Sequence, residues 1–306
     1  MLNRVLDAVA AQGWFNTSLP FEKTINLTQG ACLWVMLTRG GVCDTYLKFS
    51  DCVSLEREAQ RCAAASRSYP TLVPRFVGHL HDDGADDADG PGGLDVLVCR
   101  AVEYRALNVR SLQQGASRSR VFQDLHQYFA ATTATHLAQV LTPIRNTNLV
   151  ASLGAYFDAH ALAPLAKRWL RSDAVQRATE LPDMPQHGDL VLNNIGQTRD
   201  GAAVVFDWED FGASCLPGLD LFTLELSLAG DAASLFSGRE CLMSPTQQFV
   251  RSACQAMGLN FSDYTTLTTV YALVFRHLKR NYGPGVRERM DRLLQDLDQQ
   301  RTMTDV

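Results

Sequence analysis

The sequence predicts an α+β fold in which a sheet-rich front part precedes a larger, mainly helical part. Between residues 21 and 100 the chain contains five short segments rich in β-branched and apolar residues, interrupted by one stretch of helix formers. From about Asn108 onward the apolar residues recur mainly at helical spacing. We therefore expect a front domain of residues 1–103 and a helical domain of residues 104–306.

Composition and charge exclude several classes of protein. The chain has 306 residues, 46% of them hydrophobic, and a formal net charge of -5, which disfavours a nucleic-acid binder because such proteins usually carry a basic stripe. No apolar run approaches the roughly 20 residues that a bilayer requires. The eight cysteines are scattered singly, as in a reduced compartment. We expect a cytoplasmic protein with no nucleic-acid or membrane partner, and leave its oligomeric state open.

The front elements follow from local patterns. Apolar residues at helical spacing predict a first helix within residues 1–14. Arg39-Gly40-Gly41 supplies the positive-φ positions of a tight hairpin between two of the strands, and Asp82 to Gly93 is an acidic segment typical of a solvated hairpin tip. The predicted strands and the inserted helix are, in order, Phe21–Leu27, Leu33–Thr38, Val42–Phe49, the helix Leu55–Ala65, Arg75–His81 and Leu94–Arg100.

The back part contains one short β-segment among helices. Met184 to Phe211 is predicted to be loop, short strand, turn, strand and loop. The predicted helices are Val121–Leu141, Leu149–Leu170, Leu221–Leu228, Pro245–Met257 and Tyr264–Asn281.

The β-segment carries the residues that indicate chemistry. It contains His187-Gly188-Asp189, then Asn194, then an apolar run that ends in Asp207-Trp208-Glu209. Phosphoryl transfer requires one carboxylate at the attacking hydroxyl, and oxygen ligands that hold magnesium on the phosphates. Asp189, Asn194 and Asp207 provide such a set, because Asp207 follows a strand that folds back towards the loop.

This segment resembles the signature of the aminoglycoside phosphotransferase and choline kinase-like family, whose members are relatives of protein kinases. The resemblance implies that Asp189 is the catalytic base or orients the hydroxyl, and that Asn194 and Asp207 hold Mg²⁺. It further implies that His187 and Asp220 brace the catalytic loop. The implied architecture is a two-lobed protein-kinase-like fold, with an N-terminal antiparallel five-stranded sheet and one helix, a larger helical lobe, and ATP in the cleft.

The front part matches the same family in order. The resemblance implies that Lys48 holds the α- and β-phosphates and that Glu58 on the following helix holds Lys48, with Glu56 as the second choice. It implies that the connector from Leu97 to Val102, including Cys99 and Ala101, hydrogen-bonds adenine through its backbone. The loop from Thr28 to Ala31, with its single Gly30, would cover the phosphates.

The chain also departs from the family pattern. Val191-Leu192-Asn193 replaces the usual His-Pro-Gly, and the glycine-rich fingerprint of protein kinases is absent. Asp-Trp-Glu in place of Asp-Phe-Gly favours the small-molecule branch. A glycosidase would use Asp189 and Asp207 but would give no reason for Lys48 or Asn194, and a Gly-x-Ser-x-Gly hydrolase motif is absent.

We therefore expect an enzyme that uses ATP, or another nucleoside triphosphate, and Mg²⁺ to phosphorylate a hydroxyl of a small molecule. Aminoglycosides, amino alcohols, sugars, nucleosides and amino acids remain open as acceptors. The alternative is a catalytically silent nucleotide-binding or scaffold protein on the same fold. The role of Glu209 stays open, and acceptor contacts are expected from the helical part, from the set Tyr156, Asp158, Glu225, Asp231 and residues 276–282.

Overall fold

The computed structural model describes residues 1–27, 32–82, 93–112, 115–132, 144–240 and 244–304. Its contacts divide the chain into two units. The first comprises Met1–Arg105 and Gly196–Glu209, and the second comprises Ala106–Ile195 and Asp210–Val306. The segment that carries Asp207 therefore belongs to the unit formed by the front of the chain, although it is distant from it in sequence.

The first unit is built on a five-stranded antiparallel sheet, as the sequence predicts. The strand order is β1-β2-β3-β5-β4, and each neighbouring pair is antiparallel. One helix precedes the sheet, and a second is inserted between β3 and β4. The bounds are α1 (Leu2–Ala11), β1 (Glu22–Leu27), β2 (Leu33–Arg39), β3 (Val42–Ser50), α2 (Glu56–Ser68), β4 (Phe76–Asp82) and β5 (Leu94–Arg100).

The two faces of this sheet bury different sets of side chains. Leu47 and Phe49 of β3 belong to the apolar cluster that includes Val5 and Val9 of α1. Because side chains alternate along a strand, the residues between them lie on the other face. There Leu97 and Cys99 of β5 pack with Leu55 and Ala59 around α2, and Tyr46 joins them. The alternation thus assigns Lys48 to the α2 face.

A smaller three-stranded sheet contains the β-segment of the back part. Its order is β6-β7-β8, with bounds β6 (Tyr104–Ala106), β7 (Ile195–Thr198) and β8 (Ala203–Val205). β7 and β8 are the two predicted strands. β6 has no sequence signal, because it is three residues long and exposed. The turn between β7 and β8 contains Gly201 at a φ of +89°, where glycine is favoured.

The second unit is helical. The helices that the structure describes there are α3 (Val109–Leu112), α4 (Gly115–Thr132), α5 (Leu149–Phe157), α6 (Ala163–Leu170), α7 (Asp173–Glu180), α8 (Leu219–Ala229), α9 (Ala232–Glu240), α10 (Pro245–Ala256), α11 (Phe261–Thr266), α12 (Thr268–Leu278) and α13 (Pro284–Thr304). Within the described residues, none of the helices combines the length and apolar character needed to cross a bilayer.

Two of these helices form the centre of the second unit. Every residue of α8 from Leu219 to Glu225 is buried, and so is almost all of α12. A helix that is buried all round lies inside a core. The Tyr271 hydroxyl on α12 donates to the carbonyl oxygen of Pro217, which fixes the start of α8 against α12 at 2.9 Å.

The helical part differs from expectation in several places. The predicted helix Leu149–Leu170 is two helices, α5 and α6, because Pro164 lacks an N–H and occupies the first turn of a new helix. α7, α9 and α13 were not anticipated. Polar residues dominate α13, and its buried residues include only a few leucines, such as Leu294 and Leu297, so its periodicity is weak. The end of the predicted helix Val121–Leu141, beyond residue 132, lies outside the described residues.

Candidate functional site

In the first unit, Lys48 and Glu58 form a largely buried ion pair. Lys48 Nζ lies 2.6 Å from Glu58 Oε2, and the two side chains are 11% and 17% exposed. Burial alone would lower the pKa of Lys48, but the charge of Glu58 and its hydrogen bond outweigh burial and raise that pKa. The other predicted partner, Glu56, is exposed and accepts a hydrogen bond from Gln60 instead. The carboxylate of Glu209 lies 3.6 Å from Lys48 Nζ, which locates a residue whose role the sequence leaves open.

An apolar pocket adjoins this pair. Glu58 and Asp207 are its two acidic lining residues, and Trp34 meets Tyr46 edge-to-face at 5.1 Å in its wall. Burial raises the pKa of the Cys99 thiol to about 12, so Cys99 is a neutral wall residue. The other lining residues are Met36, Cys62, Val73, Pro74, Leu97, Arg100, Ala101, Val102, Tyr104, Phe206 and Trp208.

The backbone along one side of this pocket is partly engaged. The N–H groups of Arg100 and Ala101 donate to the carbonyl oxygens of Arg75 and Asp44 at 2.8 and 3.0 Å. Both groups therefore serve the sheet, and a ligand would have to use other backbone groups of this connector. Val102 is the next residue along the chain and also lines the pocket.

Asp207 has a strained backbone. Its φ of +62° makes it the one non-glycine residue with positive φ in the described part of the chain. The next residue anchors the turn, because the Trp208 ring stacks on Tyr69 at 5.7 Å and its Nε1 donates to the carbonyl of Val205 at 2.8 Å. Arg61, itself buried, donates to the carbonyl of Glu209. A non-glycine residue keeps this conformation only where the surrounding structure holds it, and such residues cluster at functional sites.

In the second unit, Asp220 braces the loop that carries Asp189. The Asp220 carboxylate is fully buried and accepts hydrogen bonds from the backbone N–H groups of His187 (2.6 Å) and Gly188 (2.8 Å) and from the Tyr128 hydroxyl (2.5 Å). Burial raises the pKa of Asp220, while the charge of His187 and these hydrogen bonds act in the opposite direction. His187 is fully buried and its Nδ1 accepts the N–H of Asp189 at 3.2 Å.

Helix α8 also holds the rest of this loop. The Thr223 hydroxyl donates to the carbonyl of Leu190 at 3.2 Å, and the Ser227 hydroxyl accepts the N–H of Leu192 at 3.0 Å. Asn194 closes the loop, because its Nδ2 donates to the carbonyl of Asp189 at 2.9 Å and lies 3.4 Å from Asp189 Oδ2. With Nδ2 engaged in this way, Oδ1 is the end of the Asn194 amide left for another ligand.

The structure places Lys279 beside Asp189, a pairing that the sequence did not predict, although Lys279 falls within the range 276–282 expected to contribute acceptor contacts. Lys279 Nζ lies 2.8 Å from Asp189 Oδ2 and 3.4 Å from an oxygen of Asp210. Lys279 follows the last residue of α12, 90 positions beyond Asp189. The available signal was its position. Lys279 directly follows a helix that is rich in apolar residues, so its side chain begins next to the core. The distant pairing itself has no local signature.

Other predicted residues either lie outside the described part of the chain or have a different role. Gly30 and its loop, residues 28–31, lie outside the described residues, as do residues 83–92 of the predicted hairpin tip. Glu225, one of the expected acceptor contacts, is buried and bonded to Arg239 and Tyr264, both at 2.7 Å, and to Gln247 at 3.0 Å. It therefore stabilises the helical core and is not available to an acceptor.

Comparison with known proteins supports the fold. The sequence matches no protein-family model and no curated protein sequence. Among solved structures, aminoglycoside phosphotransferase APH(3'')-Id from Streptomyces rimosus, in complex with ADP and streptomycin, is 15% identical and has a TM-score of 0.53, covering 90% of this chain and 97% of its own. Choline kinase LicA from Streptococcus pneumoniae is 12% identical with a TM-score of 0.52, covering 97% and 98%.

A Plasmodium vivax ethanolamine kinase is similar at the same level, with 12% identity and a TM-score of 0.50 over 90% of this chain and 81% of that one. These likenesses span nearly the whole chain. They agree with the order of elements described above, in which a five-stranded sheet with an inserted helix is followed by a mainly helical part. The chain therefore has the protein-kinase-like fold shared by aminoglycoside phosphotransferases and choline kinases.

Proposed function

We propose that this chain is a magnesium-dependent phosphotransferase that moves the γ-phosphate of ATP, or of another nucleoside triphosphate, to a hydroxyl of a small molecule. The observation that carries the proposal is in the first unit. An apolar pocket suited to a nucleobase is lined by Asp207 and by Glu58, which in turn pairs with the buried Lys48. Structural packing alone gives no reason to place a buried lysine–glutamate pair and a strained aspartate at one pocket.

Lys48 is the proposed ligand of the α- and β-phosphates. Its ammonium is a compact charge with three donors, and Glu58 holds it in place through one of them. The base would lie against Tyr46 and Cys99, and backbone groups near Val102 would read its edge. Because Arg100 and Ala101 already donate their N–H groups within the sheet, Ala101 would contribute only its carbonyl.

Asp207 and Asn194 are the proposed protein ligands of Mg²⁺. A carboxylate and an amide oxygen are ligands that Mg²⁺ prefers, and the engagement of Asn194 Nδ2 leaves Oδ1 for the metal. The described residues contain no group of three or more His, Cys, Asp or Glu side chains able to hold a metal, so water and phosphate oxygens would complete the shell. When bound, Mg²⁺ would neutralise charge on the phosphates.

Asp189 is the proposed residue for the acceptor hydroxyl. It would accept the hydroxyl proton through its carboxylate and aim the oxygen at the γ-phosphorus. The acceptor is proposed to be a hydroxylated small molecule, since the structural neighbours are small-molecule kinases for aminoglycosides, choline and ethanolamine. Their low identity leaves the choice among aminoglycosides, amino alcohols, sugars, nucleosides and amino acids to experiment.

A coupled assay for ADP release, run with ATP and Mg²⁺ over panels of these acceptors, tests the proposal. We expect Asp189→Ala to lower turnover about 1000-fold while nucleotide binding survives, because the lost contact acts on the hydroxyl. Asp296→Ala is the control, since Asp296 is exposed on α13 and has no proposed role in the reaction. Turnover that survives Asp189→Ala unchanged would contradict the assignment.

Calorimetric titration with ATP and Mg²⁺ separates the nucleotide roles. Asp207→Ala should lose the metal-dependent part of binding, whereas Lys48→Ala should weaken binding with or without metal. Tight ATP binding with no phosphorylated product from any acceptor would favour the alternative of a silent nucleotide-binding protein. A protein that neither binds ATP nor phosphorylates an acceptor would contradict both the phosphotransferase and the silent nucleotide-binding protein.

A further inference from the structure

Lys279 is a buried cation bonded to the residue on which the proposed chemistry depends. Its side chain is 3% exposed, and its Nζ lies 2.8 Å from Asp189 Oδ2, 3.4 Å from Asp210 Oδ2 and 3.1 Å from the Tyr282 hydroxyl. An ammonium group has three N–H donors, and these three oxygens surround it. The contact with Asp189 is the shortest of them.

The stretch of the loop from Asp189 to Asn194 contains no cation. Its intervening sequence is Leu-Val-Leu-Asn, so no side chain of this stretch can offset the charge of the Asp189 carboxylate. Asp189 is only 15% exposed, and Asp210 is only 18% exposed, which places two poorly hydrated carboxylates around one ammonium. Lys279 therefore supplies from the end of α12 a charge that this stretch lacks.

The choice of lysine at this position is itself informative. Of the 28 lysine and arginine residues in the chain, only Lys23, Lys48, Lys167 and Lys279 are lysines. The other buried cations that the structure describes, Arg61, Arg239 and Arg276, are all arginines. The two buried lysines, Lys48 and Lys279, both contact carboxylates assigned to the proposed reaction. A compact ammonium thus stands where the protein elsewhere uses the larger guanidinium.

The contacts distinguish the two oxygens of the Asp189 carboxylate. Lys279 Nζ and Asn194 Nδ2 both approach Oδ2, at 2.8 and 3.4 Å. Oδ1 receives no hydrogen bond from the residues that the structure describes. A carboxylate held through one oxygen has little freedom to rotate, so Oδ1 keeps a fixed direction and remains the acceptor for a substrate proton.

We propose that Lys279 is a positioning residue of the phosphotransfer reaction, which holds Asp189 through Oδ2 so that Oδ1 faces the acceptor hydroxyl. The inference rests on the proposed function. In the step that it serves, the acceptor oxygen bonds to the γ-phosphorus and its proton passes to Asp189 Oδ1. The bond from the γ-phosphorus to the β,γ-bridging oxygen breaks, and the nucleoside diphosphate leaves with that electron pair.

The test compares Lys279→Met with Lys167→Met in the full chain. Both variants exchange a lysine for an unbranched apolar side chain, but Lys167 is 56% exposed on α6 and pairs with the exposed Asp158. We expect Lys279→Met to lower kcat about 100-fold, because loss of orientation at the reacting centre costs about that factor. The KM for ATP should stay within about threefold, because the Lys279 contacts described above, with Asp189, Asp210 and Tyr282, involve none of the groups proposed to hold the nucleotide. Lys167→Met should match the parent, and Lys279→Arg should recover part of the lost kcat.

A second pair of variants addresses folding. If Lys279→Met does not fold, Lys279→Met with Asp210→Asn restores the balance of buried charge, and Asp210→Asn alone is its reference. The expected loss of kcat between these two is again about 100-fold. A folded protein that keeps the kcat of its reference, in either pair, overturns the inference.

Binding of ADP, Mg²⁺ and aluminium fluoride separates this inference from the proposed function. Aluminium fluoride imitates the phosphoryl group in transfer, so a phosphotransferase should bind ADP more tightly in its presence. A parent protein that shows neither this gain nor turnover overturns the proposed function and the inference with it. A parent that shows both, beside a Lys279→Met protein that keeps both in full, overturns the inference alone. Loss of the gain in Lys279→Met, with unchanged ADP affinity, supports it.

Discussion

At the scale of single residues, Asp220 fixes the geometry of the loop that carries Asp189. Its buried carboxylate accepts three hydrogen bonds, two of them from consecutive backbone N–H groups at His187 and Gly188. A buried carboxylate is expensive unless its oxygens are satisfied, and a buried N–H is equally expensive without an acceptor. Asp220 and the loop therefore stabilise each other. Because the two N–H groups belong to the residues directly before Asp189, these hydrogen bonds also fix the position of Asp189.

We expect Asp220→Ala to lower the free energy of unfolding by about 3 kcal/mol, because the buried N–H groups of His187 and Gly188 and the Tyr128 hydroxyl lose the carboxylate that accepts their hydrogen bonds, although the His187 N–H keeps a 3.2 Å bond to the Tyr128 hydroxyl. Urea denaturation followed by far-ultraviolet circular dichroism measures this change. Asp158→Ala, at an exposed aspartate on the same unit, should alter the value by less than about 0.5 kcal/mol. Equal effects of the two substitutions would show that the brace contributes nothing.

His277 makes stability depend on pH. Burial, and then the charges of Arg280 and Arg276, lower its pKa to about 4 from an ordinary value of 6.5. Between pH 6.5 and 4 the unfolded chain therefore binds more protons at this residue than the folded chain does. Stability falls as pH drops through that window. The imidazole lies edge-to-face on Tyr156 at 4.7 Å, so a phenyl ring suits the site.

We expect the urea midpoint of His277→Phe to fall less than that of the parent between pH 6.5 and pH 4, because the phenyl ring has no proton to gain. Midpoints measured at half-unit intervals of pH give the slope. Val150→Phe, at an exposed residue of α5, is the control for an introduced phenyl ring and should keep the slope of the parent, because it removes no titratable group. A His277→Phe protein with the full slope would assign the pH dependence to other groups.

At the scale of elements, the turn before Asp189 requires glycine for two separate reasons. Gly188 has a φ of +87°, and a Cβ there would lie 3.0 Å from the Cβ of Asp210 and 3.1 Å from its carbonyl oxygen. Gly230, which ends α8, has the same φ of +87° but open space around it. The two positions share a backbone angle that would strain any other residue. They differ in the space available for a Cβ.

Gly230→Ala should therefore lower the free energy of unfolding by about 1 kcal/mol, from strain alone. Gly188→Ala should lower it by about 3 kcal/mol, because overpacking against Asp210 adds to the strain. Gly188→Ala should also lose phosphotransfer, since Asp210 and Asp189 share Lys279, while Gly230→Ala should retain it. Denaturation and the coupled assay, run on both variants, check the pair. Similar losses in both would mean that crowding at Asp210 is unimportant.

Elements with a clear local composition were predictable from sequence, and contacts between distant elements were not. The five front strands are rich in β-branched and apolar residues and α2 is rich in helix formers, and their predicted order and bounds agree with the structure to within a few residues. α13 has few buried apolar residues and was missed, and Pro164 divided a predicted helix. The motif residues Asp189 and Asn194 are five apart and share a loop, whereas nothing local to Lys279 indicates its carboxylate partners.

At the scale of the whole molecule, each unit carries a different part of the proposed reaction. The first unit holds the apolar pocket, the Lys48–Glu58 pair and Asp207, which are the groups suited to a nucleotide and its metal. The second holds Asp189 and Lys279, which are proposed to serve the acceptor hydroxyl, and Asn194, which is proposed to contribute an amide oxygen to Mg²⁺. Nucleotide binding can therefore be impaired by changes in the first unit that leave the braced loop of the second intact.

Ligand-induced stabilisation of the full chain tests the nucleotide part without an acceptor. A ligand at 100 times its dissociation constant stabilises the protein that binds it by about 2.7 kcal/mol. We expect ATP with Mg²⁺ to raise the unfolding temperature, and a chelator that removes Mg²⁺ to reverse most of that rise.

Asp207→Asn should abolish the part of this rise that depends on Mg²⁺, because a neutral amide is a poorer ligand for a hard dication. Asp200→Asn, at an exposed aspartate in the turn between β7 and β8, makes the same chemical change and should keep the full response. Thermal scans of the three proteins with ATP alone and with ATP and Mg²⁺ give the comparison. A response to Mg²⁺ in Asp207→Asn equal to that of Asp200→Asn would remove Asp207 from the metal site.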